Sequence, residues 1–195
     1  MENNTFAKHP TFYAVGLSYK KADAEMRGKF SLDDKAKQNL LHQAKEEGLE
    51  SLVVTSTCNR TEIYGFAQHP FQLIKLLCEN SQGTVENFQK VAFVYKNTEA
   101  ISHMFRVGTG LDSQILGDFE IISQLKNAFV QSKELNLANA FLERLVNAVI
   151  QASKKIKTDT QISSGATSVS FASVQYIFKN VEDISNKNIL LFGTG

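Results

Sequence analysis

Residues 52–67, Leu-Val-Val-Thr-Ser-Thr-Cys-Asn-Arg-Thr-Glu-Ile-Tyr-Gly-Phe-Ala, place two short apolar segments on either side of a polar one. Leu52–Thr55 is apolar and β-branched, which is typical of a short buried strand, and Thr61–Ala67 alternates in the manner of a second strand. Between them lies a run of polar side chains with Cys58 in the middle. The stretch therefore predicts two consecutive strands joined by a polar loop, and the elements around this pair decide the fold.

The segments on both sides of the pair extend the pattern to β-α-β-β-α-β. Upstream, Thr11–Leu17 is rich in β-branched and aromatic residues and predicts the first strand. Ser31–Asp34 has the spacing of a capping box and opens a helix that ends at Gly48. Downstream, Pro70 begins another helix, and Val91–Tyr95 predicts a further strand. This order is the split βαβ arrangement of ferredoxin-like folds.

After residue 97 the pattern changes to successive helices and then to a final strand. Apolar residues recur at the helical spacing over Thr98–Val107, Asp118–Glu134, Ala138–Thr158 and Thr167–Asn180. Asn188–Phe192 instead predicts a buried strand, and Gly193 and Gly195 follow it. A strand followed by G-x-G is how a dinucleotide-binding βαβ unit begins, although a turn at the C-terminus explains two glycines as well.

These patterns predict an α+β protein with several parts. We expect a ferredoxin-like βαββαβ subdomain over about 10–97 and a helical subdomain over about 98–160, which together form one domain, 1–160. A linker and connecting helix occupy 161–187, and 188–195 is the first strand of a truncated Rossmann-type domain. Because a buried strand without a following partner makes a poor natural end, we expect the chain to be a piece cut inside that second domain.

Composition excludes several classes of protein. Hydrophobic residues make up 43% and charged residues 21% of the chain, as in a globular protein and unlike a disordered one. Apolar runs fall well short of the ~18–20 residues that span a bilayer, and the N-terminus lacks a signal-peptide pattern, so we expect a cytoplasmic protein with no membrane partner. Lys and Arg number 21 against 20 Asp and Glu, so nucleic acid would have to bind a local patch or a shape-matched cleft.

The two cysteines lie in different surroundings. Cys78 follows Leu76 and Leu77 on a predicted helix, and we expect it to fill the core. Cys58 lies among hydrogen-bond donors, two residues before Arg60, and a nearby cation favours the nucleophilic thiolate. The residues alone leave a reactive thiol and a cysteine in a polar turn equally open. They predict no disulfide framework, and the four histidines lack the spacing of metal ligands, so no metal is expected.

Four segments of the chain resemble the glutamyl-tRNA reductase family, which opens the five-carbon route to tetrapyrroles such as porphyrins. Ser56–Tyr64 is similar to the family's nine-residue signature, and Gly110–Gly117 to its G-L-[DE]-S-x-x-[LI]-G segment. Lys154–Ser170 resembles its basic helix end and serine-rich loop, and Asn188–Gly195 falls where its NADPH-binding domain starts. The similarity keeps the same order over nearly the whole chain.

The resemblance implies a two-step reaction on glutamyl-tRNA. The Cys58 thiolate attacks the ester that joins glutamate to the tRNA 3′ end, which gives a glutamyl thioester and releases the tRNA. NADPH then reduces the thioester to glutamate-1-semialdehyde; its domain starts at 188–195, where Gly193 and Gly195 are an incomplete cofactor-binding motif. Cys58 and His103 are implied as catalytic residues. The substrate-lining residues implied are Thr57, Asn59, Arg60, Ser113, Asp118, Phe119, Glu120 and Gln124.

The implied site residues differ in how closely they follow the family pattern. The planar fork of Arg60 suits the α- or γ-carboxylate of glutamate. His103 matches a family histidine that is important for activity, and its role as acid, base or orienter is open. Asp118–Glu120 replaces the family's usual Glu-Pro-Gln, and an additional carboxylate repels an anionic glutamyl group. Tyr19 stands where the family has a histidine, so no role is transferred to it.

Without a complete dinucleotide site, this chain is expected to perform only acyl transfer to Cys58. The resemblance implies a homodimer formed through the C-terminal region of the full-length protein, so we expect this piece to be monomeric, and it implies the downstream aminomutase as a further partner. Two other functions stay open. One is a cysteine acyltransferase or thioesterase acting on another ester; the other is a non-catalytic tRNA- or partner-binding module, which would keep its affinity after Cys58→Ser.

Overall fold

The computed structural model describes residues 9–118, 120–160, 162 and 169–190, which form a mixed α+β fold. The strands are β1 (Thr11–Ser18), β2 (Leu52–Ser56), β3 (Arg60–Ala67) and β4 (Phe93–Lys96). The helices are α1 (Ala24–Lys29), α2 (Asp34–Glu46), α3 (Pro70–Glu79), α4 (Val85–Val91), α5 (Thr98–Gly108), α6 (Glu120–Glu134), α7 (Ala140–Asp159) and α8 (Val169–Asn180). A short 3₁₀ helix, Ile184–Asn186, follows α8.

The four strands form one antiparallel sheet in the order β2-β3-β1-β4. Within it, Gly16 of β1 lies opposite Glu62 of β3. Because alternate residues of a strand face the same side, Arg60, Glu62 and Tyr64 lie on one face of the sheet. Two charged side chains are thereby placed under the helices that cover this face.

Each face of the sheet packs against its own helices. On one face, Val15, Leu17 and Ile63 join a buried cluster with residues of α2 and α3, namely Leu40, Leu41, Ala44, Leu73, Leu76 and Leu77. On the other face, Phe12, Val53 and Tyr64 join a cluster with residues of α5, α6 and α7, namely Met104, Leu125, Phe129, Leu142, Val146 and Val149. Strands β1, β2 and β3 are therefore largely buried on both sides, and their polar residues need partners inside the protein.

Most predicted elements are confirmed, with two short helices added. The predicted strands at Thr11–Leu17, Leu52–Thr55 and Thr61–Ala67 form within a residue or two of the expected bounds. The fourth strand begins at Phe93 rather than at Val91, because the preceding residues form α4, which the Thr84 side chain caps. Helices α1 and α4 are too short for their apolar spacing to predict them.

The predicted cap of α2 at Ser31 is wrong. Asp33 is the N-cap, and its side chain accepts a hydrogen bond of 2.8 Å from the Ala36 N–H. Leu32 is buried in the core, and its own N–H donates to the Ser56 hydroxyl at 2.9 Å, which holds this residue outside the helix. The predicted end is confirmed: Glu47 is the C-cap and Gly48 follows with a positive φ of 78°.

Helix α7 shows how the helical part is built. Its buried residues, Leu142, Leu145, Val146 and Val149, follow the helical spacing, while Lys154 and Lys155 are exposed.

Within the described ranges, no helix combines the length and the apolar character needed to cross a membrane.

The strand predicted at Asn188–Phe192 does not form in its described part. Residues 188–190 have no regular structure, and Ile189 and Leu190 are 68% and 78% exposed. A strand is stabilised by backbone hydrogen bonds to a neighbouring strand, and no described residue pairs with this segment. Residues 191–195, with Gly193 and Gly195, lie outside the described residues, so the G-x-G turn stays a prediction.

Gly16 allows a close approach between β1 and β3. A Cβ at this position would lie 2.5 Å from the Thr61 carbonyl oxygen and 2.9 Å from Glu62 Cγ. Gly16→Ala is therefore expected to lower the free energy of unfolding by about 1–3 kcal/mol, measured by urea denaturation. Gly28→Ala is the matched control: nothing lies within 4 Å of its Cβ, and alanine is the better helix former in α1. Equal losses in the two variants would contradict the close approach at Gly16.

Candidate active site

Residues 57–60 form a tight loop between β2 and β3 that is held by Thr57. The Thr57 N–H donates to the Arg60 carbonyl at 2.8 Å. The Thr57 hydroxyl accepts hydrogen bonds from the N–H groups of Asn59 and Arg60, both at 3.2 Å. Cys58 is exposed within this loop, so a well-fixed backbone presents its free thiol to solvent.

Two further contacts tie the loop to the rest of the fold. The Tyr19 N–H donates to the Asn59 carbonyl at 2.8 Å. Arg27 of α1 donates from Nε to the Cys58 carbonyl at 3.0 Å and from Nη1 to the Ala22 carbonyl at 2.6 Å. A guanidinium therefore lies directly against the backbone of Cys58. The sequence offers no signal for this role of Arg27, because it does not predict α1.

Cys58 opens into a cleft of about 380 Å³ between the loop and the start of α6. The cleft is lined by Thr57, Cys58, Asn59, Arg60, Ser113, Gln114, Asp118, Glu120, Ile121 and Gln124. The structure thus brings together the predicted site residues of two segments that are far apart in the chain. Gln114 and Ile121 were not predicted, and Phe119 lies outside the described residues.

A glycine-bounded loop forms the opposite wall of the cleft. Gly110 and Gly117 have positive φ angles of 73° and 82°, which glycine adopts without strain. The Gly117 N–H donates to the Gly110 carbonyl at 3.1 Å and closes the loop, and the Asp112 N–H donates to the Arg106 carbonyl at 2.9 Å. The second family-like segment therefore positions Asp112 and Ser113 beside the Cys58 loop.

Arg60 links the cleft to a buried network of charges. Its side chain is only 2% exposed. Nη1 donates to Glu62 Oε1 at 2.9 Å. Nη2 donates to the Asp112 backbone carbonyl and, at 3.4 Å, to Asp112 Oδ1. Asp112 also binds Lys20 Nζ at 2.8 Å. Both terminal nitrogens of Arg60 thus have protein partners, and its predicted contact with a substrate carboxylate stays a prediction.

Glu62 is the centre of this network and is completely buried. Besides Arg60, it accepts a hydrogen bond from the Tyr64 hydroxyl at 2.5 Å, and His103 Nε2 lies 3.2 Å from Oε1. Burial alone raises the pKa of Glu62, but the Arg60 charge and the hydrogen bonds from His103 and Tyr64 outweigh it and lower the pKa. Burial and the Glu62 charge raise the pKa of Tyr64 well above its ordinary value. Glu62 is therefore ionised, and Tyr64 keeps its proton.

His103 is buried and lines a different cavity from Cys58. This cavity, of about 350 Å³, is also lined by Lys20, Lys21, Phe93 and Tyr95. The ring centroids of Phe93 and Tyr95 lie 4.6 and 5.0 Å from the centroid of the imidazole. Among the described residues, His103 hydrogen bonds to Glu62 and not to Cys58. Because an ionised carboxylate only accepts, Nε2 carries the proton. Arg60 and Glu62 thus connect His103 to the cleft, and its acid or base role stays a prediction.

Glu62 and Asp112 are two further site residues that the sequence did not assign. The sequence did carry a signal for Glu62: it lies two residues after Arg60 in an apolar strand, so the two charges share one face of that strand. Asp112 had none, since its contact with Arg60 spans 52 residues. Cys78 packs against the core as expected, and burial raises the pKa of its thiol.

The described residues offer little for a metal or a dinucleotide. No three His, Cys, Asp or Glu side chains within these ranges are grouped as metal ligands. The sheet they form is antiparallel, whereas a dinucleotide site lies at the edge of a parallel βαβ unit. The described residues therefore form no dinucleotide-binding βαβ unit, and the NADPH site stays a prediction.

Comparison with known proteins establishes the family. A family model described as "Glutamyl-tRNAGlu reductase, N-terminal domain" matches residues 15–160. The chain belongs to the glutamyl-tRNA reductase family. It is 81% identical to the glutamyl-tRNA reductase of Flavobacterium psychrophilum and 73% identical to that of Christiangramia forsetii. Both matches cover the whole of this chain and 47% of the relative. The chain thus spans about half the length of the curated relatives it matches.

A solved structure supports the same relationship. The glutamyl-tRNA reductase from Methanopyrus kandleri superposes with a TM-score of 0.69 at 26% sequence identity. The match covers 86% of this chain and 39% of that chain. The resemblance seen in the sequence motifs is therefore confirmed at the level of family and fold.

Proposed function

We propose that this chain carries the acyl-transfer site of a glutamyl-tRNA reductase and that Cys58 is its nucleophile. One observation carries the proposal: Cys58 is exposed in a fixed loop and opens into a cleft lined by the residues assigned to substrate. An accessible thiol with convergent polar groups around it is the arrangement that covalent catalysis requires.

The proposed step exchanges one ester for another. The Cys58 sulfur gives up its proton and adds to the carbonyl carbon of the glutamyl ester, the bond from this carbon to the ribose oxygen breaks, and that oxygen leaves with the proton that the thiol released. The products are a glutamyl thioester on Cys58 and free tRNA. In the complete enzyme, NADPH would supply the hydride that reduces the thioester to glutamate-1-semialdehyde.

The cleft provides partners for each polar group of a glutamyl ester. Asp118 and Glu120 supply acceptors for the α-ammonium group, and Arg60, whose Nη1 and Nη2 bind Glu62 and Asp112, supplies a positive charge beside the γ-carboxylate. Ser113, Gln124, Thr57 and Asn59 are neutral groups that both donate and accept. His103 acts through Glu62 and Arg60 rather than on the sulfur, because this is the hydrogen-bonded route the buried network offers.

We further propose the domain arrangement and partners that follow from this function. The sheet order β2-β3-β1-β4 supports a ferredoxin-like subdomain over about 10–97, with the helical subdomain over about 98–160. Residues 161–187 then link this catalytic domain to an NADPH-binding domain that starts near 188. The complete enzyme is proposed to be a cytoplasmic homodimer that passes its product to an aminomutase, and this chain alone a monomer.

Mass spectrometry without NADPH tests the proposed function. The chain is mixed with glutamyl-tRNA, and we expect a glutamyl adduct on the peptide that contains Cys58, or release of free glutamate if the thioester hydrolyses. Uncharged tRNA with free glutamate is the control, because it has no activated ester and should leave no adduct. With NADPH present, no sustained oxidation is expected. If neither an adduct nor released glutamate is detected, the assignment of Cys58 is overturned.

A further inference from the structure

A second cleft adjoins the Cys58 cleft and has no role in the acyl transfer described above. It measures about 710 Å³ and shares Gln124 with the Cys58 cleft. Its walls are α6, the end of β2 and the first turn of α2, and its lining residues are Asp34, Lys37, Thr55, Ser56, Gln124, Asn127, Ala128 and Gln131. A ligand in one cleft can therefore continue into the other along α6.

Three amide side chains form one wall of this amide-lined cleft. Gln124, Asn127 and Gln131 are spaced i, i+3 and i+7, so they lie on one face of α6, and seven residues of helix span ~10 Å. None of these amides hydrogen bonds to another residue in the described part of the chain. Thr55, on the strand opposite, has a buried hydroxyl that also lacks a partner there. The cleft therefore presents a row of unused donors and acceptors.

The charges of the cleft favour a neutral ligand. Its two charged residues, Asp34 and Lys37, pair with each other at 3.1 Å, so their charges cancel. A phosphate group would meet no free cation here, whereas side-chain amides match the donor and acceptor edge of a nucleobase, adenine above all. The chemistry of the lining therefore points to a nucleoside.

We propose that the amide-lined cleft binds the terminal nucleoside of the acylated tRNA, the group that leaves when Cys58 is acylated. This inference rests on the proposed function, because it takes the ester carbonyl to lie at Cys58. The glutamyl part then fills the Cys58 cleft, and the ribose and base extend past Gln124 toward Asn127 and Gln131. The substrate thus spans both clefts, with its reacting carbonyl near their junction.

Two glutamate esters test the inference on this chain. One is 3′-O-glutamyl-adenosine, and the other is glutamate α-ethyl ester, which has no nucleoside. The double variant Asn127→Ala/Gln131→Ala is expected to acylate Cys58 about tenfold more slowly with the adenosine ester, the loss of about two net hydrogen bonds, and at an unchanged rate with the ethyl ester. Gln89→Ala is the matched control, since Gln89 is an exposed amide on α4 that lines neither cleft and should leave both rates unchanged.

Each alternative outcome has a defined meaning. Equal slowing with both esters, or no slowing with either, would overturn the nucleoside site while leaving Cys58 as the nucleophile. A chain that neither ester acylates would overturn the proposed function itself. Adenine also occurs in NADPH, so NADPH is added as a competitor. Inhibition of the adenosine ester by NADPH in the unmodified chain, lost in the double variant, would assign the cleft to the cofactor and overturn the inference.

Discussion

Cys58→Ser is expected to slow glutamyl transfer from glutamyl-tRNA to the chain by at least about 10³-fold, because a serine hydroxyl is a weak nucleophile unless a base activates it. Among the described residues, no histidine or lysine hydrogen bonds to the residue 58 side chain to supply that base. The measurement is the rate at which the glutamyl adduct appears on the intact protein.

Cys78→Ser is the matched control for this prediction. Cys78 packs against the core on α3, and burial raises the pKa of its thiol, so its removal should leave the transfer rate unchanged. Transfer retained by Cys58→Ser and lost in Cys78→Ser would reassign the nucleophile. The same pair of variants also addresses a pure binding module, which would bind glutamyl-tRNA equally well with either replacement and form no adduct.

Glu62→Gln is expected to lower the free energy of unfolding by about 3–5 kcal/mol, the usual cost of removing one partner of a buried ion pair. The replacement keeps the side-chain volume but leaves Arg60 buried with Asp112 as its remaining anionic partner. Urea denaturation at neutral pH gives the value. Glu25→Gln is the control: the Glu25–Lys29 pair is exposed, so its loss should cost about 0–1 kcal/mol. Similar losses in both variants would show that the Glu62 network contributes no more than a surface pair.

The pH dependence of stability reports the charge of Glu62 directly. Its pKa in the folded protein is lower than the ordinary value of 4.5, so the unfolded chain takes up the proton first as the pH falls. The stabilisation by this carboxylate is therefore complete above pH ~4.5 and is lost as the pH falls through the folded pKa. The stabilities of the unmodified protein and Glu62→Gln should accordingly converge in acid. A constant difference from about pH 7 to about pH 3 would mean that the pKa of Glu62 is the same in the folded and unfolded chains, so that the network does not lower it.

The sequence predicts those parts of the fold that depend on local patterning. A β-branched and aromatic run places β1, a short apolar run places β2, and alternation places β3. Apolar residues at the helical spacing place α3 and α5–α7, because burial of one helix face leaves a periodic trace. The cap of α2 could not be predicted, since Ser31 has the right chemistry for a cap. Only the tertiary bond from Leu32 to Ser56 shows why the helix starts later.

The candidate site was predictable as a set of residues and not as an arrangement. The family motifs bring Cys58 and Ser113 together, and the structure places both in one cleft. His103, by contrast, lies in a neighbouring cavity and contacts Glu62 instead of the thiol. This separation depends on how α5 packs over the sheet, which no local pattern of residues encodes.

The two halves of the site differ in how far along the chain their contacts reach, and this sets the order in which they form. Thr57 binds its own neighbours two and three residues away, and β2 and β3 are adjacent strands, so this hairpin closes quickly. The bond from Arg60 to Asp112 closes a loop of 52 residues, which costs more chain entropy and forms later. A newly made chain therefore presents the Cys58 thiol before the opposite wall of its cleft exists, and this thiol is most open to stray oxidation while the protein is still folding.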